Sequence, residues 1–157
     1  MFVTNVKDVE WSSNEIYNPL RWKLLVDSKL ALSSGISCGI LEIPTQSSLE
    51  LHHHLPQEIY LIRSGEGLLL KKDGEERIME NTVVYINKEE PHGLKNTGNC
   101  PLEILWIFPT NCWEEVKYNF SYEFKSETDT EVLSQLIGYI YKKQDLDFSE
   151  SVRVALS

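Results

Sequence analysis

The most informative stretch of the sequence is Leu51-His52-His53-His54-Leu55-Pro56-Gln57-Glu58-Ile59-Tyr60, which holds three of the chain's four histidines. Side chains alternate between the two faces of a β-strand, so we expect His52 and His54 on one face and His53 on the other. His53 is therefore interpreted as an outward bystander. Beyond a turn, we expect Glu58 to project with the paired imidazoles. Two imidazoles and a carboxylate that face one cavity predict a metal site.

The fourth histidine, His92, follows the apolar run Thr82–Ile86 and a polar turn. It could return from a neighbouring strand as a fourth ligand. Imidazole and carboxylate ligands suit Fe, Ni, Mn, Zn or Cu rather than Ca. The alternative is a set of polar surface or core residues without a ligand role. The agreement of spacing with strand parity favours a divalent transition metal, whose identity the sequence leaves open.

Short apolar runs separated by turn residues, a pattern typical of all-β proteins, extend from about Trp22 to Phe108. The pattern predicts strands at Trp22–Val26, Ile36–Ile43, Leu49–His54, Glu58–Ile62, Gly67–Lys71, Glu76–Met79, Thr82–Ile86, Gly93–Asn96 and Leu102–Phe108. The pair Asp73-Gly74 is the strongest short signal for a β-hairpin. Many short strands at close spacing predict a sandwich or a barrel.

The composition limits the kind of protein this is. The 157 residues are 41% hydrophobic and 25% charged, which predicts a soluble globular domain. The formal net charge of −9 argues against nucleic acid and anionic membranes as partners. No apolar run approaches the length of a membrane-spanning helix, and the N-terminus shows no secretory signal. Three cysteines without CxxC spacing, Cys38, Cys100 and Cys112, are expected to be buried and reduced, which favours the cytoplasm.

Helical signals appear only outside the predicted strands. Trp11-Ser12-Ser13-Asn14-Glu15 fits a capping box, and Pro19 would keep any helix there short. A second capping box at residues 128–131 precedes apolar residues at helical spacing, so the sequence predicts an amphipathic C-terminal helix. We expect a domain over residues 1–120, followed by a helical extension and tail over residues 121–157. The helix is expected to cover the barrel or a partner subunit.

The pattern His52-x-His54-x3-Glu58-x6-Gly65, followed by Pro91-His92-x3-Asn96, resembles the two motifs of the cupin superfamily. In that family, two histidines and a glutamate of the first motif and one histidine of the second bind one metal inside a small β-barrel. The resemblance implies an all-β fold with a single cupin barrel, also called a double-stranded β-helix or jelly roll. It also implies one metal, held by His52, His54, Glu58 and His92.

The chain departs from the family pattern at four turn positions. The family's glycines fall on Gln46, Asn81 and Glu89, and its proline falls on Asn87. Asparagine enters left-handed backbone conformations more readily than most residues do, so two of these changes are physically mild. The departures concern loop shape and leave the ligand set intact.

Six further segments look like the short cupin lyases that cleave dimethylsulfoniopropionate (DMSP) to dimethyl sulfide and acrylate. They are Trp11-Ser12-Ser13, Arg21-Trp22-Lys23, Ser33-Ser34-Gly35, Glu58-Ile59-Tyr60, Val84-Tyr85-Ile86 and Trp106-Ile107-Phe108-Pro109-Thr110. This similarity covers roughly the first 120 residues. It implies a carbon–sulfur lyase in which Tyr60 removes the α-proton and Tyr118 is a second active-site tyrosine.

The chemistry of such a lyase agrees with these residues. A Lewis-acidic metal (Fe, Ni, Mn or Zn) can bind the substrate carboxylate and stabilise the charge that develops as the α-proton leaves. A sulfonium cation favours aromatic faces, for which Trp22, Trp106 and Tyr118 are the candidates. We therefore expect a small zwitterionic or carboxylate substrate.

Two other functions stay open on the same fold. One is another metal-dependent cupin enzyme, such as an iron dioxygenase. The other is a non-catalytic metallo-cupin that binds a small carboxylate. Cupins commonly dimerise through edge strands, so a homodimer is expected.

Overall fold

The fold is described from a computed structural model, which covers residues 1–15, 17–116 and 119–120. The strands found among these residues are β1 (Arg21–Val26), β2 (Ser37–Ile43), β3 (Ser48–His53), β4 (Glu58–Ser64), β5 (Glu66–Lys71), β6 (Gly74–Met79), β7 (Val83–Ile86), β8 (His92–Asn96), β9 (Leu102–Phe108) and β10 (Asn119–Phe120). Two short 3-10 helices accompany them, at Val6–Asp8 and Trp113–Glu115. Every strand predicted from the sequence is present, and each predicted end lies within two residues of the observed one.

The strands form two five-stranded antiparallel sheets. One has the order β1-β2-β9-β4-β7 and the other the order β10-β3-β8-β5-β6. The chain crosses repeatedly between the sheets, as in a jelly roll. The predicted all-β fold is confirmed for the described residues.

Alternation along the strands builds the core between the two sheets. In β9, Leu102, Ile104, Trp106 and Phe108 are buried, and the residues between them are half-exposed. The same period of two in β4 buries Glu58, Tyr60 and Ile62. Because β4 and β9 pair in register, with Tyr60 opposite Trp106 and Ile62 opposite Ile104, these buried side chains project inward together.

The hairpin predicted at Asp73-Gly74 joins β5 to β6. Lys71 pairs with Gly74 across it, so Lys72 and Asp73 form a two-residue turn. Gly74 has a φ of 135°, which a residue with a β-carbon rarely adopts. Glycine is therefore required where the strand resumes.

The capping box at residues 11–15 is a wrong prediction, because these residues form no helix. Ser12 makes an isolated β-bridge with Trp22 instead, and the Asn14 side chain accepts a hydrogen bond from the Tyr17 N–H. The Trp11 ring lies over Arg21 and Lys23, at 4.5 and 4.7 Å from the ring centroid. These contacts hold the segment extended along β1, and tertiary contact overrides the local signal.

The cysteine predictions are confirmed in part. All three thiols are free, but only Cys112 is buried, whereas Cys38 is half-buried and Cys100 is exposed. Cys100 lies in the turn between β8 and β9, where nothing covers it. The prediction of three buried cysteines is therefore wrong at Cys100.

Several predictions fall outside the described residues. They are Tyr118, the helix predicted after the capping box at residues 128–131 and the extension over residues 121–157, and they stay predictions, as does the domain boundary at residue 120. Within the described part of the chain, no helix has the length and apolar character needed to cross a membrane.

Candidate metal centre and adjoining pocket

Three buried histidines, His52, His54 and His92, meet between the two sheets. One nitrogen of each ring lies within 4.8 Å of the others, which is a suitable spacing for a common metal ion. His52 and His92 pair directly across β3 and β8, and His54 follows the end of β3. The exposed fraction is 0% for His52, 1% for His54 and 2% for His92. The three-histidine cluster could hold a metal ion.

The hydrogen bonds of the rings determine which nitrogens face one another. Each Nδ1 lies close to a backbone carbonyl two residues away, at 2.8 Å for His52 and His54 and 2.7 Å for His92. A carbonyl oxygen only accepts, so each Nδ1 must donate, and in the neutral ring Nε2 then carries the lone pair. Metal-binding histidines typically have this arrangement, in which the outer nitrogen orients the ring.

Burial keeps His52 in the neutral form that a metal requires. Its pKa is lowered from 6.5 to about 3, first by burial and then by the nearby His92 ring. A proton therefore does not compete for the His52 ring near neutral pH.

Glu58 reaches the cluster from the opposite sheet. Its carboxylate is 3% exposed, and Oε2 lies 3.2 Å from Nε2 of His54 and 3.3 Å from Nε2 of His92. Within the described part of the chain, the His92 Nε2 makes no hydrogen bond. A carboxylate oxygen and imidazole lone pairs repel one another unless a proton or a metal ion lies between them. The donor set therefore fits a divalent transition metal.

His53 points away from this cluster, as its strand parity predicts. Its Nδ1 lies 2.6 Å from Oε2 of Glu89, and its side chain is 33% exposed. The Glu89 carboxylate is half-exposed and lies within hydrogen-bond distance of this ring. Neither residue reaches the buried cluster.

A pocket lined mainly by aromatic side chains adjoins the cluster and includes Glu58 and Tyr60. The Tyr60 ring is 2% exposed and its centroid lies 6.0 Å from that of His92. Both tryptophans predicted to contact substrate, Trp22 and Trp106, line this pocket. Trp22, Trp106 and Tyr60 thus come together with the candidate ligand Glu58 in this pocket, whereas the three histidines do not line it.

Two aromatic residues in the pocket were missed from the sequence, namely Tyr17 and Trp113. The Trp22 ring contacts both edge to face, at centroid distances of 6.0 Å to Tyr17 and 5.6 Å to Trp113. Neither lies in a predicted strand, so the alternation that identified the other residues could not find them.

The family model of the cupin domain matches residues 39–108. The chain belongs to the cupin superfamily. The matched region runs from β2 to the end of β9 and includes all four candidate ligands.

Sequence relatives of this cupin differ in their described roles. A protein of Methanocaldococcus jannaschii is 33% identical over 63% of this chain and 71% of its own. The dimethylsulfoniopropionate lyase DddW of Ruegeria pomeroyi is 27% identical over 67% of this chain and 68% of its own. An oxalate-binding protein of Thermotoga maritima is 36% identical over 43% of this chain and 56% of its own.

The fold also resembles solved cupin structures. The polyketide cyclase RemF of Streptomyces resistomycificus superimposes with a TM-score of 0.69 at 15% identity, over 97% of this chain and 98% of its own. At that identity the likeness shows the fold alone. Enzymes are thus found among both the sequence relatives and the structural neighbours of this cupin.

Proposed function

We propose that this cupin is a metal-dependent lyase that cleaves DMSP to dimethyl sulfide and acrylate. The observation that carries the proposal is the aromatic pocket, which combines Glu58 and Tyr60 with rings suited to a sulfonium cation. The relationship to DddW, which is named for this activity, supports it.

His52, His54, Glu58 and His92 would hold the metal, one of Fe, Ni, Mn or Zn. When bound, the metal supplies a Lewis acid that attracts the substrate carboxylate and stabilises negative charge next to it. The carbonyl groups that accept from the three Nδ1 atoms orient the rings for this task.

Tyr60 is proposed as the base that removes the α-proton. It lies two residues after Glu58 on β4 and shares its buried face. The phenolate oxygen takes the proton, the C–H electrons form the double bond, and the C–S electrons leave with sulfur. The sulfonium departs as neutral dimethyl sulfide, so the leaving group needs little acid assistance. Tyr118 is proposed to assist in binding or proton handling.

The aromatic rings would select the positively charged end of the substrate. The Trp22 ring contacts those of Tyr17 and Trp113 edge to face, and the Trp106 ring centroid lies 6.4 Å from that of Trp113. A cation against such rings gains about 0.5–2 kcal/mol, more when water is excluded. A small onium carboxylate therefore fits this pocket better than a neutral molecule of the same shape.

The direct test is to incubate the purified, metal-loaded protein with DMSP and measure dimethyl sulfide in the headspace. We expect product with the wild-type protein and a loss of at least about 100-fold in turnover with Tyr60→Phe, the scale of general-base catalysis. Tyr85→Phe is the matched control, because Tyr85 lies on the neighbouring strand with an exposed side chain. No product with any of Fe, Ni, Mn or Zn would refute the lyase.

A binding experiment tests the aromatic pocket without catalysis. The probes are 3-(trimethylammonio)propionate and 4,4-dimethylpentanoate, which has the same shape but an uncharged tert-butyl group in place of the ammonium, and binding is followed by tryptophan fluorescence. Trp113→Leu should weaken the affinity for the ammonium probe by roughly 2- to 30-fold and change the affinity for the tert-butyl probe much less. Equal losses for the two probes would show that Trp113 only shapes the pocket.

A second candidate is a metallo-cupin that binds a small carboxylate without turning it over. The relationship to the oxalate-binding protein favours it. Tight oxalate binding together with an absence of dimethyl sulfide would support this alternative. The homodimer and the cytoplasmic location stay predictions.

A further inference from the structure

A second opening reaches the histidine cluster at one of its residues, His92. It lies between β6 and β7, the end strands of the two sheets, which do not pair with each other in the described structure. Its volume is about 270 Å³, and His92 lies in its wall. Unlike the aromatic pocket, this opening carries several charged side chains.

Strand register explains why the charges face inward. Lys71 lies directly opposite His92 across β5 and β8, so both project from the inner face of the sheet. Glu76 lies opposite the buried Leu69 and projects from the same face. The Lys71 Nζ donates to Oε2 of Glu76 at 2.7 Å, so the two form an ion pair in the opening.

A further carboxylate stands beside the histidine. Glu90 lines the same opening, and its Oε2 accepts a hydrogen bond from the Asn87 N–H at 2.8 Å. Its carbonyl accepts from the Nδ1 of His92. Two carboxylates and one ammonium leave one net negative charge along the opening, which attracts cations.

The two openings therefore suit different species. The aromatic pocket has Glu58 as its one charged residue and is otherwise apolar or aromatic, so a hydrated dication entering there would lose water with a single carboxylate to replace it. We infer that the polar opening is the passage by which divalent metal ions reach the three-histidine cluster, with Glu76 and Glu90 attracting the ion and Lys71 opposing it. This inference rests on the proposed metal centre but is independent of the lyase reaction.

The test measures the rate at which Co²⁺ alone binds the metal-free protein, by stopped-flow quenching of tryptophan fluorescence at low salt. Glu76→Gln should slow binding by about 3-fold, because it removes a negative charge that attracts the ion. Lys71→Gln should speed binding by about 3-fold, because it removes a positive charge that repels the ion. The double variant restores the net charge and should bind at nearly the wild-type rate. About 0.5 M salt should shrink all these differences.

The chain provides a matched control on the same hairpin. Arg77 and Glu66 form an equivalent ion pair at 2.7 Å on β6 and β5, and Arg77 lies opposite Leu68 on the outer face. Arg77→Gln and Glu66→Gln change the total charge in the same way and should leave the rate unchanged.

The pattern of Co²⁺ binding rates distinguishes the passage from a general effect of protein charge. Opposite effects on the rate at the inner pair, Lys71 and Glu76, with none at the outer pair, Arg77 and Glu66, support the passage. Equal effects at both pairs, or none at either, would overturn it while leaving the metal centre in place. A wild-type protein that binds no Co²⁺ at equilibrium would overturn the metal centre and the passage together, and circular dichroism of each variant verifies its fold.

Discussion

Three residues with side chains adopt left-handed backbone where cupin motifs have glycine. The φ angles are 61° at Gln46, 68° at Asn81 and 58° at Glu89. A β-carbon makes this conformation unfavourable, least so for asparagine. The loops therefore keep the backbone that the motifs require, at the cost of local strain.

Replacing Gln46 by glycine should stabilise the protein. Gln46 is exposed, so its side chain loses little on removal, and relief of the left-handed strain outweighs the entropy that glycine adds to the unfolded chain. We expect the free energy of unfolding to rise by about 0.5–1 kcal/mol, measured by urea denaturation. Thr45→Gly, one residue earlier and also exposed, should instead lower it by a similar amount. Equal destabilisation by both variants would contradict the strain at Gln46.

The buried His52 makes the metal-free protein sensitive to acid. Its folded-state pKa of about 3 lies below the ordinary 6.5, so the unfolded chain binds this proton first as the pH falls. The stability that His52 contributes is fully present above about pH 6.5 and is lost as the pH falls toward 3. The loss is at most about 1.4 kcal/mol for each pH unit.

Urea denaturation in the presence of a chelator, repeated at several pH values, measures this dependence. His52→Gln cannot take up the proton, so its free energy of unfolding should fall less steeply over the same range. Parallel curves for the two proteins would refute the assignment of the acid sensitivity to His52.

At the scale of elements, β3 and the residue after it separate neighbouring histidines. His54 is 1% exposed in the cluster, whereas His53 lies on the other face beside Glu89. The sequence predicted this separation because the period of two along a strand does not depend on the rest of the fold. The failed helix at residues 11–15 shows the opposite case, since the contacts of Trp11 with Arg21 and Lys23 decided that segment.

Two glutamine variants of neighbouring histidines test the role of this strand. We expect His54→Gln to weaken Co²⁺ binding by about 10-fold or more, because one of three imidazole ligands is lost. His53→Gln should bind Co²⁺ as the wild type does. Isothermal titration calorimetry measures both affinities. Equal losses of affinity would contradict the placement of His53 and His54 on opposite faces of the strand.

At the scale of the whole molecule, the candidate centre joins the two sheets. The three histidines come from β3, β8 and the turn after β3, all associated with one sheet, and Glu58 comes from β4 in the other. A metal bound by all four would link the sheets directly. Binding to the folded state alone would also stabilise the protein by mass action.

Chelation should therefore lower the melting temperature of the protein. Metal at about 100 times its dissociation constant adds about 2.7 kcal/mol to the free energy of unfolding. Glu58→Gln should reduce this gain, because the contact with the second sheet is weakened. Glu103→Gln, on the outer face of β9, is the control and should keep the full gain. Thermal melts with and without Co²⁺ measure the effect, and an undiminished gain in Glu58→Gln would exclude Glu58 as a ligand.

The sequence by itself determined the strands, the parity of the histidines and the candidate ligand set. Alternation and motif spacing are local properties, so they can be read without knowing which strands pair. Only the tertiary structure brought Tyr17 and Trp113 into the aromatic pocket and turned Lys71 and Glu76 toward His92. Those neighbours depend on sheet order and register between strands distant in sequence, which local patterns do not encode.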